Sequence, residues 1–187
     1  MRIAMALLAS AIMCSARSVS TQNDDGARLF QRSSAVNVIV FVTRDCPISN
    51  GYAPAIQRLC RDYGPRGLRC TLVYEDGALG VDAVRDHLRE YGYGGFATMV
   101  DGDGRLAARV GATVTPEAAV IDTSGTVRYR GRIDNFYAAL GKPRHRATSH
   151  DLREAIDAVL AGRAVTRPRT TALGCYIPSS RPNREVR

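Results

Sequence analysis

The segment Val36–Val42 limits the fold of this chain more than any other, because it is a nearly continuous apolar run rich in β-branched residues, VNVIVFV, with polar residues on either side. A strand with one face in solvent alternates apolar and polar residues. A strand of a parallel sheet that is covered on both faces is apolar almost throughout. The run therefore predicts a central strand of an α/β sheet.

Helix and strand patterns alternate after this strand. Pro47 suits the first turn of a helix, where its missing N–H group is no loss, and this helix is expected to end near Gly64. The alternation then continues with a strand at 68–74, a helix at 81–91, a strand at 96–100 and a short helix at 106–110. Strands connected through helices in this way pair in parallel.

The later part of the sequence predicts an antiparallel addition to this sheet. Segments 118–122 and 126–130 read as two strands joined by a short turn that contains Gly125. After a polar loop, a last helix is expected at about 150–160, with Thr148 or Ser149 as its N-cap. The fold class is therefore α/β, with a mixed central sheet and helices on both faces.

The N-terminal segment has the organisation of a secretory signal peptide. Arg2 precedes a short apolar run that ends in small residues, and the run is too short to span a bilayer. We expect a periplasmic or secreted protein, with a membrane tether through lipidated Cys14 as the alternative. The expected organisation is a signal peptide at 1–16, a linker or irregular lead-in at 17–34, the α/β domain at 35–165 and an aperiodic tail at 166–187.

The net charge of +8 does not by itself indicate a nucleic-acid partner. The basic residues are almost all arginines, and they are scattered along the whole chain. The sequence has neither a basic helix with interleaved aromatic residues nor a strand with an aromatic stacking pattern. We therefore expect no binding to nucleic acid.

Removal of the signal peptide leaves four cysteines, Cys46, Cys60, Cys70 and Cys175, which pair in three possible ways. Cys46 lies where the first strand ends and a helix begins, so helix N–H groups and the helix dipole lower the pKa of its thiol. The Ser49 hydroxyl is placed to donate a hydrogen bond to the sulfur. Cys46 is the predicted nucleophile and is expected to be open to solvent, the alternative being a buried, inert cysteine.

The segment from Thr43 to Asn50, TRDCPISN, together with Val114-Thr115-Pro116 and Gly174-Cys175, resembles a bacterial group within the thioredoxin-like redoxin superfamily. That superfamily includes the alkyl hydroperoxide reductase and thiol-specific antioxidant proteins. The resemblance covers about residues 36–177. It implies a thioredoxin-like fold and thiol-dependent redox chemistry, with no organic cofactor and no metal.

The resemblance also implies roles for individual residues. Pro116 corresponds to the cis-proline that faces the active-site cysteine, and the Thr115 backbone would bind an extended thiol substrate. Pro47 is a further predicted substrate-binding residue. Thr43 matches the threonine that precedes the peroxidatic cysteine of peroxiredoxins, whereas Ile39 stands where those enzymes have proline.

A second thiol must come from elsewhere in the chain, because Ser49 replaces the second cysteine of the Cys-x-x-Cys motif. Cys175 is the expected resolving thiol, or else part of a structural bridge in the tail. Cys60 and Cys70 are expected to pair structurally or to stay as buried thiols. The expected activity is exchange with protein thiols and disulfides, or peroxide reduction, coupled to an external thiol reductant. The competing hypothesis is a non-catalytic binding module or a copper chaperone.

Overall fold

The computed structural model describes residues 23–177. The predicted signal peptide, Cys14 and residues 178–187 of the predicted tail lie outside the described residues. Within the described part, no helix has the length and apolar character needed to cross a membrane.

The described chain alternates strands and helices in the predicted order. The strands are β1 Val36–Val42, β2 Leu68–Tyr74, β3 Ala97–Val100, β4 Val114–Thr115, β5 Glu117–Ile121, β6 Val127–Gly131, β7 Tyr137–Ala139, β8 Lys142–Pro143 and β9 Cys175–Tyr176. The helices are α1 Asn23–Arg28, α2 Pro47–Gly51, α3 Ala53–Tyr63, α4 Val81–Glu90, α5 Arg105–Val110 and α6 Asp151–Leu160.

Five strands form one mixed sheet in the order β3-β2-β1-β5-β6. β1, β2 and β3 run parallel, and β5 and β6 complete the sheet as an antiparallel hairpin. The sequence predicted this mixed sheet, and the structure confirms it.

β1 is apolar almost throughout because its two faces belong to two separate cores. Val38 and Val40 pack in one core with residues of α3, α4 and α6, while Ile39 and Phe41 pack in the other with residues of α5. Each of these four side chains is at most 1% exposed. Since successive side chains of a strand point to opposite faces, a strand between two cores needs an apolar residue at nearly every position.

The helix expected from Pro47 to Gly64 is instead two helices, α2 and α3, which meet at Tyr52. Pro54 explains the break, because it has no N–H group to donate to the carbonyl oxygen four residues earlier. The helix that begins next to Cys46 is therefore the short helix α2, which is separate from the longer helix α3.

Three further expectations need correction. Part of the predicted lead-in is the helix α1, and the expected polar loop contains the β7–β8 hairpin. The N-cap of α6 is His150, with no side-chain cap. The Thr148 hydroxyl instead accepts a hydrogen bond from Asn135, and the Ser149 hydroxyl donates to Asp151.

The Cys60–Cys70 disulfide joins the end of α3 to β2. Cys46 and Cys175 are the free cysteines of the described chain. Of the pairings that the sequence left open, the structure therefore contains the bridge between Cys60 and Cys70 and leaves the other two sulfurs as thiols.

Candidate active site

Cys46 is the N-cap residue of α2, as the sequence predicted. Its backbone is extended, with φ −87° and ψ 108°, and its carbonyl oxygen accepts the first helical hydrogen bond from Asn50 N–H at 2.9 Å. Pro47 occupies the first helical position, where its fixed φ angle favours the turn. Pro47 is exposed, so it forms part of the surface next to the buried Cys46 thiol.

Thr115 and Pro116 form the wall that faces Cys46, and the peptide bond between them is cis. The Cys46 Sγ atom lies 3.1 Å from the Thr115 carbonyl oxygen. The Thr115 hydroxyl donates to the Thr43 hydroxyl at 3.1 Å. The structure thus brings together Thr43, Cys46, Thr115 and Pro116 from segments that are far apart in the sequence.

The C-terminal tail supplies the remaining wall. β9 pairs antiparallel with β4, with Cys175 opposite Thr115, and the Ile177 N–H donates to the Thr113 carbonyl oxygen at 3.0 Å. Gly174 is required at this crossing because a Cβ atom there would collide with the Thr115 carbonyl oxygen. The pairing places the Cys175 thiol in hydrogen-bonding contact with Cys46.

Contacts before β9 anchor the tail to the domain. Arg167 forms an ion pair with the buried carboxylate of Asp151 at 3.0 Å. The Thr170 hydroxyl lies 2.6 Å from the Tyr129 hydroxyl and accepts a hydrogen bond from Arg132 N–H at 3.1 Å. Because these contacts involve residues well before Cys175, they keep the Cys175 segment near Cys46 independently of the short β4–β9 pairing.

The two thiols have opposite pKa shifts. Burial opposes ionisation of Cys46, but hydrogen bonds from the Cys175 thiol, from the N–H groups of Ser49 and Cys175 and from the Thr115 side chain outweigh it, so the pKa of Cys46 is lowered. Burial, the hydrogen bond to Cys46 and the charge of Cys46 raise the pKa of Cys175 to about 11. Of the two thiols, Cys46 is therefore the one that ionises first, while Cys175 stays protonated.

Ser49 contributes differently from the expectation. Its side-chain oxygen is buried without a hydrogen-bond partner among the described residues, whereas its backbone N–H stabilises the Cys46 thiolate. The expected hydroxyl contact is therefore wrong. The start of a helix turns the N–H groups of its first turn toward the N-cap residue, so the backbone reaches the sulfur whatever the side chain is.

Cys46 is 1% exposed, so the expectation of an open thiol is also wrong for this arrangement. The covering residues include those of β9, and Tyr176 beside Cys175 is 86% exposed. Burial of Cys46 is thus partly a consequence of where the tail lies.

A buried polar chain that sequence reasoning missed supports the Cys46 segment. The Tyr74 hydroxyl lies 2.6 Å from His87 Nδ1, and His87 Nε2 lies 3.0 Å from Asn50 Oδ1. The Asn50 amide in turn donates to the Arg44 carbonyl oxygen at 2.7 Å. Burial lowers the pKa of His87 and so favours the neutral ring. Since Asn50 Oδ1 is an acceptor, the proton of this neutral ring lies on Nε2, and Tyr74 donates to Nδ1. The sequence offered only an isolated histidine.

Metal-ligating residues are not clustered in the part of the chain that the structure describes. Between residues 23 and 177, no group of three or more His, Cys, Asp or Glu side chains is arranged to hold a metal ion.

No family model and no curated protein matches the chain. Among solved structures, it is similar to a hypothetical protein from Sinorhizobium meliloti, with 28% identity and a TM-score of 0.67 over 81% of this chain and 82% of that one. It is equally similar to an uncharacterized conserved protein from Geobacillus kaustophilus, with 28% identity and a TM-score of 0.67 over 78% of each chain.

A further similar structure is a protein from Chlorobium tepidum described as a candidate thiol:disulfide interchange protein DsbE. It is 16% identical, with a TM-score of 0.50 over 70% of this chain and 81% of that one. Its likeness and the order of strands and helices decide the fold. The fold is thioredoxin-like. Three elements of this fold surround Cys46. They are the first strand β1, the helix α2 that follows it, and the cis-proline segment Thr115-Pro116.

Replacement of Cys175 should change the ionisation of Cys46. We expect Cys175→Ala to raise the pKa of Cys46, because the variant loses a thiol that donates to the thiolate. Cys175→Ser should raise it less, because a hydroxyl still donates. The pH dependence of thiolate absorbance near 240 nm and of alkylation rate measures both shifts. Equal pKa values in the parent and in Cys175→Ala would contradict the assigned contact.

The stability of the protein should depend on pH through His87. Burial, more than the nearby charges, lowers the pKa of His87 in the folded state. As pH falls below the ordinary value of about 6.5, the unfolded state takes up this proton first, so folding stability declines. We expect His87→Gln to flatten this decline by up to about 1.4 kcal/mol per pH unit, measured by urea unfolding between pH 7 and pH 5.

The exposed residue His145 provides the matched control for this measurement. His145→Gln should leave the slope of stability against pH as it is in the parent protein. The same slope in His87→Gln as in the parent would show that His87 does not bind its proton differently in the folded and unfolded states.

Proposed function

We propose that the protein is an exported thiol-disulfide oxidoreductase in which Cys46 is the nucleophile and Cys175 the resolving thiol. The observation that carries the proposal is the contact of two free thiols with opposite pKa shifts at the start of a helix. A nucleophile must ionise readily, and its resolving partner must stay protonated until it is needed.

The first step is attack of the Cys46 thiolate on one sulfur of an external disulfide. A bond forms between Cys46 Sγ and that sulfur, the substrate disulfide breaks, and the second substrate sulfur leaves with the electron pair and takes up a proton. The product is a mixed disulfide on Cys46 and one free substrate thiol.

The second step uses Cys175. Its pKa of about 11 is raised in part by the negative charge on Cys46, and this charge disappears when the mixed disulfide forms. Cys175 then ionises more readily and attacks Cys46 Sγ, releasing the second substrate thiol and leaving a Cys46–Cys175 disulfide. An external thiol reductant returns this disulfide to two thiols. The order of the two steps thus follows from the electrostatics of the pair.

Substrate access requires movement of the tail. Pro47, Thr115 and Pro116 are the proposed substrate-binding residues, but in this structure Thr115 pairs with Cys175. An extended protein substrate must displace β9 in order to use the same backbone groups. The anchors at Arg167 and Thr170 keep Cys175 close while β9 is displaced, so the resolving thiol returns by an intramolecular step.

An oxidising compartment fits the chemistry as well as the N-terminal sequence. The Cys60–Cys70 disulfide persists most readily outside the reducing cytosol. Export therefore belongs to the proposal, with the tether through Cys14 as a variant of it. Peroxide reduction is the alternative activity of the same thiols, with Thr43 at the position of the peroxiredoxin threonine.

The decisive test is trapping of the first intermediate. After incubation of the reduced protein with a peptide disulfide, Cys175→Ser should accumulate a mixed disulfide on Cys46, because no thiol resolves it. The parent should instead release peptide thiol and form the internal disulfide, and Cys46→Ser should do neither. Intact-mass and peptide-mapping mass spectrometry report all three products.

The alternatives give different products in the same assay. Reaction of Cys46 with hydrogen peroxide at rates far above those for peptide disulfides would replace the proposal by the peroxidase activity. A Cys46 that reacts with neither oxidant faster than a free cysteine would indicate a non-catalytic module.

The close crossing of β9 over β4 gives a second prediction. Gly174→Ala adds a Cβ atom that collides with the Thr115 carbonyl oxygen, so the tail must shift away from Cys46. We expect formation of the Cys46–Cys175 disulfide under mild oxidation to slow by at least roughly tenfold, since well-oriented groups owe much of their rate to proximity. Time-resolved alkylation and mass spectrometry measure this rate.

Gly94→Ala is the control, because a Cβ atom at Gly94 meets nothing within 4 Å. Its rate of disulfide formation should equal that of the parent. An unchanged rate in Gly174→Ala would mean that the tail reaches Cys46 by a different route from the one seen here.

A further inference from the structure

A second sulfur centre lies at the other end of the sheet. Cys70 pairs with Val38 near the start of β1, whereas Cys46 follows the end of β1. A cavity of about 620 Å³ opens beside the Cys60–Cys70 disulfide and is lined by both of its cysteines. The proposed activity of Cys46 and Cys175 leaves this cavity unused.

The disulfide is reachable from this cavity. Cys60 and Cys70 are both partly exposed, in contrast to Cys46. Thiol-disulfide exchange requires a thiolate to approach one sulfur of the bridge, so access decides whether a disulfide is inert or exchangeable. The cavity provides that approach, and its volume is in the range that holds a small molecule.

The charged side chains that flank the two cysteines in the cavity wall are basic. Arg61 and Arg69 line the cavity, and no acidic side chain is among its described lining residues. Arg61 has an ion-pair contact with Asp62 at 3.8 Å, but both side chains are well exposed, so that pair is weak. The cavity therefore presents guanidinium groups, which bind carboxylates and similar anions through paired hydrogen bonds.

Polar groups complete the floor of the cavity. Asn37 and Thr71 line it from β1 and β2, and both are buried polar residues. Phe96 and the disulfide itself add apolar surface. A ligand that fits this lining has an anionic group for the arginines, a polar body for the floor and a sulfur for the bridge.

We propose that this cavity is an exchange site at which a low-molecular-weight thiol carrying an anionic group reacts with the Cys60–Cys70 disulfide. The thiolate attacks one bridge sulfur, forming a mixed disulfide, while the other cysteine leaves with the electron pair and takes up a proton. A second thiol molecule attacks the mixed disulfide and releases the symmetrical small disulfide. Two electrons thus pass from two small thiols to the bridge, which becomes two cysteine thiols.

The arginines act on this step in two ways. They raise the local concentration of an anionic thiol, and their positive field favours its thiolate form. Both effects are electrostatic, so they favour anionic over cationic thiols and weaken with added salt. This selectivity for charge distinguishes a built site from a bridge that is merely accessible.

The test uses the full chain with Cys14→Ser, Cys46→Ser and Cys175→Ser, so that only the Cys60–Cys70 bridge reacts. The probes are 2-mercaptoethanesulfonate, which is anionic, and cysteamine, which is cationic. Rates of adduct formation are measured by mass spectrometry after acid quenching and corrected for the thiolate fraction of each probe. We expect the anionic probe to react about 10-fold faster at low salt, and the ratio to fall toward one in 0.5 M salt.

Two double variants on the same background identify the source of the selectivity. Arg61→Ala/Arg69→Ala should bring the ratio close to one. Arg58→Ala/Arg146→Ala removes the same charge from exposed residues outside the cavity and should preserve the ratio. Thermal unfolding with the bridge intact checks that all the proteins are folded.

Three results would overturn the proposal: a ratio near one in the background protein, an equal loss of selectivity in the two double variants, or no adduct at Cys60 or Cys70 while the protein stays folded. Because Cys46 and Cys175 are absent from every protein in the test, none of these outcomes bears on the proposed function.

Discussion

The pairing of Cys175 with Thr115 is the contact on which the geometry of the site depends. It is part of a two-residue strand, yet it sets the distance between the thiols, covers Cys46 and aligns a backbone N–H with the Cys46 sulfur. Without it, Cys46 would lose two of the donors that favour its thiolate and would keep the Ser49 N–H. The low pKa of Cys46 is therefore a joint property of α2 and the tail, whereas a helix start alone supplies only part of it.

The coupling of the two thiols also determines which form of the pair can react. Two negative sulfurs in contact repel each other, so ionisation of Cys46 keeps Cys175 protonated. Under the proposed mechanism, consumption of the Cys46 charge removes this restraint at the moment when the resolving thiol is needed. The Thr115 hydroxyl is also coupled to the charge on Cys46. Its single proton is donated either to the Thr43 hydroxyl oxygen or to the Cys46 thiolate, but not to both.

The parts of the fold that could be predicted from sequence are those with a strong local cause. β1 has the predicted bounds because burial on both faces makes almost every residue apolar, and β2 has them as well although Arg69 near its start is exposed. The break at Tyr52 was missed because the apolar spacing continues through it, although Pro54 is a local reason for it. β9 was not predictable, since two residues show no periodicity and their partner, β4, lies far away in the sequence. The His87 chain depends on contacts between α4, β2 and α2, which no spacing rule reports.

The position of the second thiol explains why the tail matters more here than in a protein with Cys-x-x-Cys. In that motif both sulfurs belong to one helix start and stay together whatever the rest of the chain does. Here Ser49 occupies the second position, and the Cys60–Cys70 bridge lies at the opposite end of the sheet, so neither resolves a disulfide on Cys46. Cys175 has to be brought in by a segment that is firmly anchored at Arg167 and Thr170 and only lightly paired at β9. Under the proposed mechanism, oxidation fixes this segment covalently, while reduction leaves it held by a few hydrogen bonds that a substrate can replace. Access to Cys46 then changes with the redox state of the pair itself.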